Sequence, residues 1–293
     1  MKKLIAVSLA LSMTFFFASC SKGTSESSRA SSSKAETSAV IANADKKASS
    51  QAKSESSSSS SLTNLENLDN KKQGWGQGKQ VDKEKRPISC TQFQKKYGKY
   101  GAVFIKDNTK KIYLTFDEGY ENGYTAKILD SLKEKKVPAA FFVTYDYAKR
   151  NHDLVQRMID EGHLVGNHSY THPSMPTLSL TKASGEITKM DHYIEENFNY
   201  RMTLFRPPMG EFSERTLALA QHLGYKSIFW SFAYVDWNPK KQMGTEKAYK
   251  KVVSGLHPGA IYLLHAVSKD NAEILGSFID EAKKGGYEFA KLA

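Results

Sequence analysis

The sequence predicts an α/β fold on a parallel sheet, open or closed into a barrel, behind a disordered tether. Three observations carry this. From Lys111 onward, short apolar runs alternate with stretches of helical period, the pattern of strands joined by right-handed helical crossovers. The polar residues that look chemically useful fall just past the carboxyl ends of those runs, where such folds collect their chemistry. From Ser21 to about Asn70 the chain has hardly a large apolar residue, no aromatic residue and no periodicity, so it cannot offset the entropy of ordering.

Taken in order, residues 112–116 form the first strand and residues 124–135 a helix. A strand over 139–143 and a helix over 153–160 follow. The run "HLVGNH" is the third strand, and 180–197 reads as a longer helix. "MTLFR" is the fourth strand, and 213–223 a helix with Ser213 as its cap. "YKSIFWSFA" is a strand, "TEKAYKKVVSGL" a helix ending near Gly255, and "AIYLLH" a buried strand. A helix over 271–284 stops at Gly285 and Gly286, and 287–290 makes the last of about seven strands. Residues 71–110 carry aromatic side chains without clean periodicity, with a short helix over 92–97, and read as an arm packing on the main domain.

Ahead of this, Lys2 and Lys3 precede an apolar stretch from Leu4 to Ala18, too short for a spanning helix and shaped like an export signal over residues 1–19. Phe17-Ala18-Ser19-Cys20 resembles a bacterial lipobox, with phenylalanine where leucine is usual. Cys20 is then the lipidated first residue of a membrane-anchored protein facing the cell wall, plain secretion being the alternative. Residues 20–70 are the serine-rich linker. Of the 2 cysteines, Cys90 is left without an intrachain partner, which excludes a disulfide scaffold. The net charge of +11 suits anionic wall polymers and lipid headgroups. No zinc-finger, helix-turn-helix or RNA-stacking motif accompanies it, so nucleic acid is not an expected partner.

The chemistry-bearing segments are weak one by one. Asp117 and Glu118 at the end of a buried strand could simply favour a helix start. His168 and His172, four residues apart, suit one metal ion or are two structural imidazoles. "RPPMG" could be a rigid turn, Asp236-Trp237 a surface turn and His265 a core histidine. In this order, on one rim, they are strong together.

"TFDEG", "HSYTH", "RPPMG", "VDW" and "LLH" make the chain resemble the polysaccharide deacetylases, carbohydrate esterase family 4, with the NodB homology domain over residues 111–293. The fuller contexts are similar to the delta-lactam-biosynthetic branch, which acts on muramic acid in peptidoglycan. The resemblance implies a distorted (β/α) barrel and metal-dependent removal of N-acetyl groups from a glycan, by a monomer. It assigns Asp117 as general base, Arg206 as the cation that keeps it ionised, and His265 as general acid held by Asp236. His168 and His172 become ligands of a divalent metal: zinc, with manganese or cobalt as alternatives. A backbone N–H near Met209 would meet the oxyanion, and Trp237 and Leu263 would wall the acetyl pocket. The family's second aspartate is Glu118 here, which ligates in an altered geometry or not at all. N-acetylglucosamine in peptidoglycan, chitooligosaccharide or exopolysaccharide is the alternative substrate, and a non-catalytic wall-binding lipoprotein the alternative class.

Overall fold

In the computed structural model, residues 64–292 are described. The export signal, Cys20 and most of the 20–70 linker lie outside them. Within the linker's last residues, the Asn70 side chain donates to the Pro176 carbonyl at 2.8 Å.

Two short strands, β1 (Gln73–Gly74) and β7 (Glu211–Phe212), pair with each other antiparallel, and the strands of the main sheet pair in parallel. β3 (Lys111–Glu118) is central, with β4 (Ala139–Val143) along the carboxyl half of one edge and β10 (Glu288–Phe289) along the amino end of the same edge. β9 (Ala260–His265) takes its other edge. From β4 the order runs through β5 (Leu164–Asn167), β6 (Leu204–Phe205) and β8 (Lys226–Ile228). Past β8 the chain bends onto β9, where Ser231 N and Phe232 N both donate to Ile261 O and Leu263 N donates to Phe232 O. That contact curls the sheet into the expected distorted barrel. The arm adds a strand not foreseen from sequence, β2 (Ala102–Val103), which pairs with β8 and makes the sheet eight-stranded.

Of the expected strands that are shorter in the structure, two stop early for one reason. The Ile228 and Phe229 carbonyls accept from the Arg206 guanidinium, and the Arg206 carbonyl faces His168 Nδ1. Backbone groups turned toward a buried side chain are lost to the ladder, so β8 stops at Ile228 and β6 at Phe205. A helix over Tyr145–Arg150, capped by Thr144, was not expected; six residues are too few to show a period. The Ser213 cap is present, as a reciprocal capping box with Thr216.

Strand alternation divides the core. Ile112, Leu114 and Phe116 of β3 pack outward against the helices, among them Thr125–Lys135 and Lys269–Lys284. Tyr113 points the other way, into a cluster with Ala140, Phe142, Leu204, Ile228 and Ile261. Arm residues Trp75, Cys90, Tyr97 and Phe104 form a third cluster with Phe212, Phe229 and Trp230, where the Phe104 and Phe229 rings stack at 4.2 Å.

Candidate active site

The register of β3 and β9 puts Asp117 directly beside His265. Partners on one rung of neighbouring strands share a face, about 4.8 Å apart. Asp117 follows Tyr113 and Thr115 on the inner face, so its carboxylate enters the barrel's mouth. Asp117 Oδ1 accepts from Arg206 Nη1 at 2.7 Å. Arg206 is fully buried, its guanidinium 4.1 Å from the centre of the Phe142 ring. Burial alone would raise the Asp117 pKa, but Arg206, then His168 and His265, outweigh it and hold the group below its ordinary value.

His168 and His172 are brought together by a strained loop. Ser169 (φ 68°) and His172 (φ 59°) both sit in the left-handed region although neither is glycine. The strain is held by hydrogen bonds: Ser169 N donates to Asn167 Oδ1, His172 N to Ser169 Oγ, and Thr171 N to Glu186. The two imidazoles end 4.8 Å apart, edge to face. His168 Nδ1 lies 2.9 Å from the Arg206 carbonyl, which keeps the proton on Nδ1 and leaves the Nε2 lone pair free. Burial pushes His168 down to about 4 and lowers His172 as well, so both are neutral near pH 7.

His168 Nε2 then faces Asp117 Oδ2 at 3.5 Å, a lone pair opposite an ionised carboxylate. A position that repels a second acceptor suits a cation, and two converging imidazoles fit a divalent one as a pair. Among the described residues no group of three or more His, Cys, Asp or Glu is arranged as a metal cluster. The expected third ligand explains why. Glu118 follows Ile112, Leu114 and Phe116 in alternation, so its side chain leaves β3 on the helix-facing side, opposite to Asp117. It is fully buried, both carboxylate oxygens lack partners, and burial first, then Glu121 and Asp117, raises it well above its ordinary value. The structure does not bring Glu118 to the histidines.

On the other side of the mouth, Asp236 holds His265 twice: Oδ1 is 2.7 Å from His265 Nδ1, and Oδ2 accepts from the His265 backbone at 2.8 Å. Burial would lower His265, but Asp236, through charge and hydrogen bond, raises it above 6.5. Asn271 donates to Asp236 Oδ2 at 2.6 Å and to the His265 carbonyl at 3.1 Å. Leu263 shares the inner face of β9 with His265. The exposed Trp237 ring stands edge-on to His265 at 5.9 Å. Met209 is exposed, with a left-handed backbone (φ 58°) in the "RPPMG" turn.

Two supporting contacts went unforeseen. Asn271 carried a signal, a polar residue just inside a helix beside the "LLH" strand. Trp75, read only as an arm aromatic, donates its backbone N–H to Gly210 O at 3.0 Å and its indole to Trp230 O at 3.0 Å. Gly210 (φ +66°) is required there, since a Cβ would lie 2.7 Å from the Trp230 ring. The arm thus pins the "RPPMG" turn, through contacts no local pattern encodes.

Residues 105–228 match the polysaccharide deacetylase family model. The chain is 50% identical over 208 residues to an uncharacterised protein of Geobacillus stearothermophilus, covering 70% of this chain and 78% of that one. It is 42% identical over 220 residues to the peptidoglycan-N-acetylmuramic acid deacetylase PdaA of Bacillus subtilis, covering 74% and 83% of the two. The solved structure of that family 4 carbohydrate esterase matches with a TM-score of 0.72 over 76% of this chain and 95% of that chain. A peptidoglycan-N-acetylglucosamine deacetylase of Bacillus cereus is 30% identical over 199 residues, 66% of this chain and 71% of that protein. With the curled parallel sheet and the rim of motif residues, these likenesses show that the chain belongs to the polysaccharide deacetylases, carbohydrate esterase family 4.

Proposed function

We propose that this deacetylase removes the N-acetyl group of muramic acid residues in peptidoglycan strands freed of their peptides. The observation that carries the reading is the single rung joining Asp117, paired to Arg206, with His265, paired to Asp236. One carboxylate is favoured in its ionised form and one imidazole is shifted toward its protonated form, a base and an acid kept apart by their surroundings. Asp117 takes a proton from the attacking water as its oxygen bonds to the amide carbon. The Met209 N–H donates to the developing oxyanion. His265 gives its proton to the leaving nitrogen as the C–N bond breaks, and acetate and a free amine result. Trp237 and Leu263 flank the acetyl methyl.

His168 and His172 are the residues that would hold a divalent metal, zinc with manganese or cobalt as alternatives, and Glu118 is not among them. Bound there, the metal supplies Lewis acidity to the hydrolysis. The muramic acid assignment rests on the similarity to the Bacillus subtilis enzyme, and the Bacillus cereus relative favours N-acetylglucosamine as the second reading. The chain acts as a monomer, exported and tethered to the membrane through Cys20, or secreted. Among the described residues no helix is long and apolar enough to cross a membrane.

The test is acetate release from intact and peptide-free strands, followed by mass spectrometry of the digested products. Deacetylated muramic acid from peptide-free strands only, lost in Asp117→Asn and with chelator, is the expected result. Deacetylated glucosamine in its place would transfer the activity to the second sugar.

A further inference from the structure

The loop between Tyr234 and the helix Thr245–Ser254 is closely tied yet presents an unusual outer face. Gln242 Nε2 donates to the Asp236 and Asn238 carbonyls at 3.1 and 2.9 Å, and Gln242 Oε1 accepts from Ser268. Lys240 N donates to Asn238 Oδ1 and Lys241 N to Asn238 O, each at 3.0 Å, while Gly244 N donates to Asp270 at 2.8 Å. Held this way, the loop exposes Val235, Trp237 and Met243, with Lys240 and Lys241 beside them. Neither lysine joins an ion pair among the described residues.

Muramic acid carries its lactyl ether on the ring carbon next to the one bearing the acetamide. With the acetamide between Asp117 and His265, the lactyl group must face a rim loop within a few bonds of the reacting centre. A peptide-free lactyl group ends in a carboxylate, a peptide-bearing one in a neutral amide, and glucosamine has neither. The rim offers few cations to read that charge. Residues 119–124, 168–179 and 266–268 contain no lysine or arginine, and 206–213 only the buried Arg206, which is committed to Asp117. Lys149, past β4, lies over the Tyr145 ring at 5.5 Å. Lys72, Arg150 and Lys269, near the same segments, pair with Glu211, Asp146 and Glu273, whereas Lys240 and Lys241 lie three and four residues from the tryptophan that abuts His265.

We propose that Lys240 and Lys241 read the free lactyl carboxylate and so set the preference for peptide-free muramic acid, an inference that rests on the muramic acid reading above. The charge of the substrate, and not only the bulk of a peptide, then decides which strands are cut.

The experiment compares the wild-type chain with a Lys240→Gln, Lys241→Gln variant on peptide-free strands, native or with the lactyl carboxylate converted to a methylamide. An exposed ion pair is worth a factor of about two to five, so the pair together should give about a five- to tenfold effect on kcat/KM, mostly in KM. Wild type should lose that factor on methylamide strands, and the variant should lose it on native strands. The two losses should not add, and added salt should shrink the wild-type preference. The thermal midpoint checks that the variant is folded. A variant with wild-type kcat/KM on native strands, or one that loses equally on both substrates, overturns this inference and leaves the activity standing. Acetate release from neither strand by wild type overturns the muramic acid reading, and this inference with it.

Discussion

Replacing Glu118 with methionine should stabilise the protein and spare its activity. The carboxyl is fully buried on the helix-facing side of β3, with two oxygens that find no partner. A buried polar group without a hydrogen bond costs about 1–3 kcal/mol, and methionine fills a similar volume without that cost. For a domain of this size 1 kcal/mol moves the midpoint by about 2–4 °C, so a rise of roughly 2–12 °C is expected. The gain also depends on pH. Burial raises the folded-state pKa well above 4.5. Below pH 4.5 both folded and unfolded chains are protonated there. As pH rises past that value the unfolded chain ionises first, so the stability of the wild type declines until the folded-state pKa is passed. The difference between Glu118→Met and wild type should therefore be smaller at pH 4 than at pH 7, read by calorimetry at both. Acetate release should stay within about threefold of wild type, because the side chain points away from His168 and His172. A lower midpoint, or loss of activity together with weaker metal binding, would refute the placement and make Glu118 a ligand.

Two other substitutions probe the mouth itself. Arg206→Leu leaves Asp117 buried without its cation; stability should fall by about 3–5 kcal/mol in denaturant titration, and the acidic limb of kcat/KM should move to higher pH as the Asp117 pKa climbs. Asp236→Asn removes the charge that raises His265. The general acid must be protonated to act, so the alkaline limb of the pH–rate profile should shift down toward or below pH 6.5, and an unmoved limb would take His265 out of that role.

Much of this was legible in the sequence. The alternation after Lys111 marked most of the main strands and the longer helices, because apolar residues at period two or 3.6 are what burying a strand or helix face requires. The rim residues were visible as polar groups at strand ends, and Ser213 as a cap, because both depend on near neighbours. Glu118 is where reading by motif left the outcome open: beside Asp117 in "TFDEG" it could be a partner or not, and adjacent strand residues point to opposite faces. That rule decides only if the strand continues that far, and the pairing of Glu118 with Val143 shows that it does.

Tertiary structure alone decided the rest. The Asp117–His265 rung depends on the register of two strands far apart in the chain, which interior packing sets across the whole sheet. Trp75 pins Gly210 through its backbone N–H and Trp230 through its indole, bonds that any arm conformation could have made elsewhere. Arg206 shortens two strands because its guanidinium, buried to hold Asp117, must find its remaining acceptors in the backbone around it. Residue type and local period, both carried by near neighbours, say which residues could do the chemistry. Which of them meet was decided by the fold, since contact between distant segments follows from the packing of every strand between them.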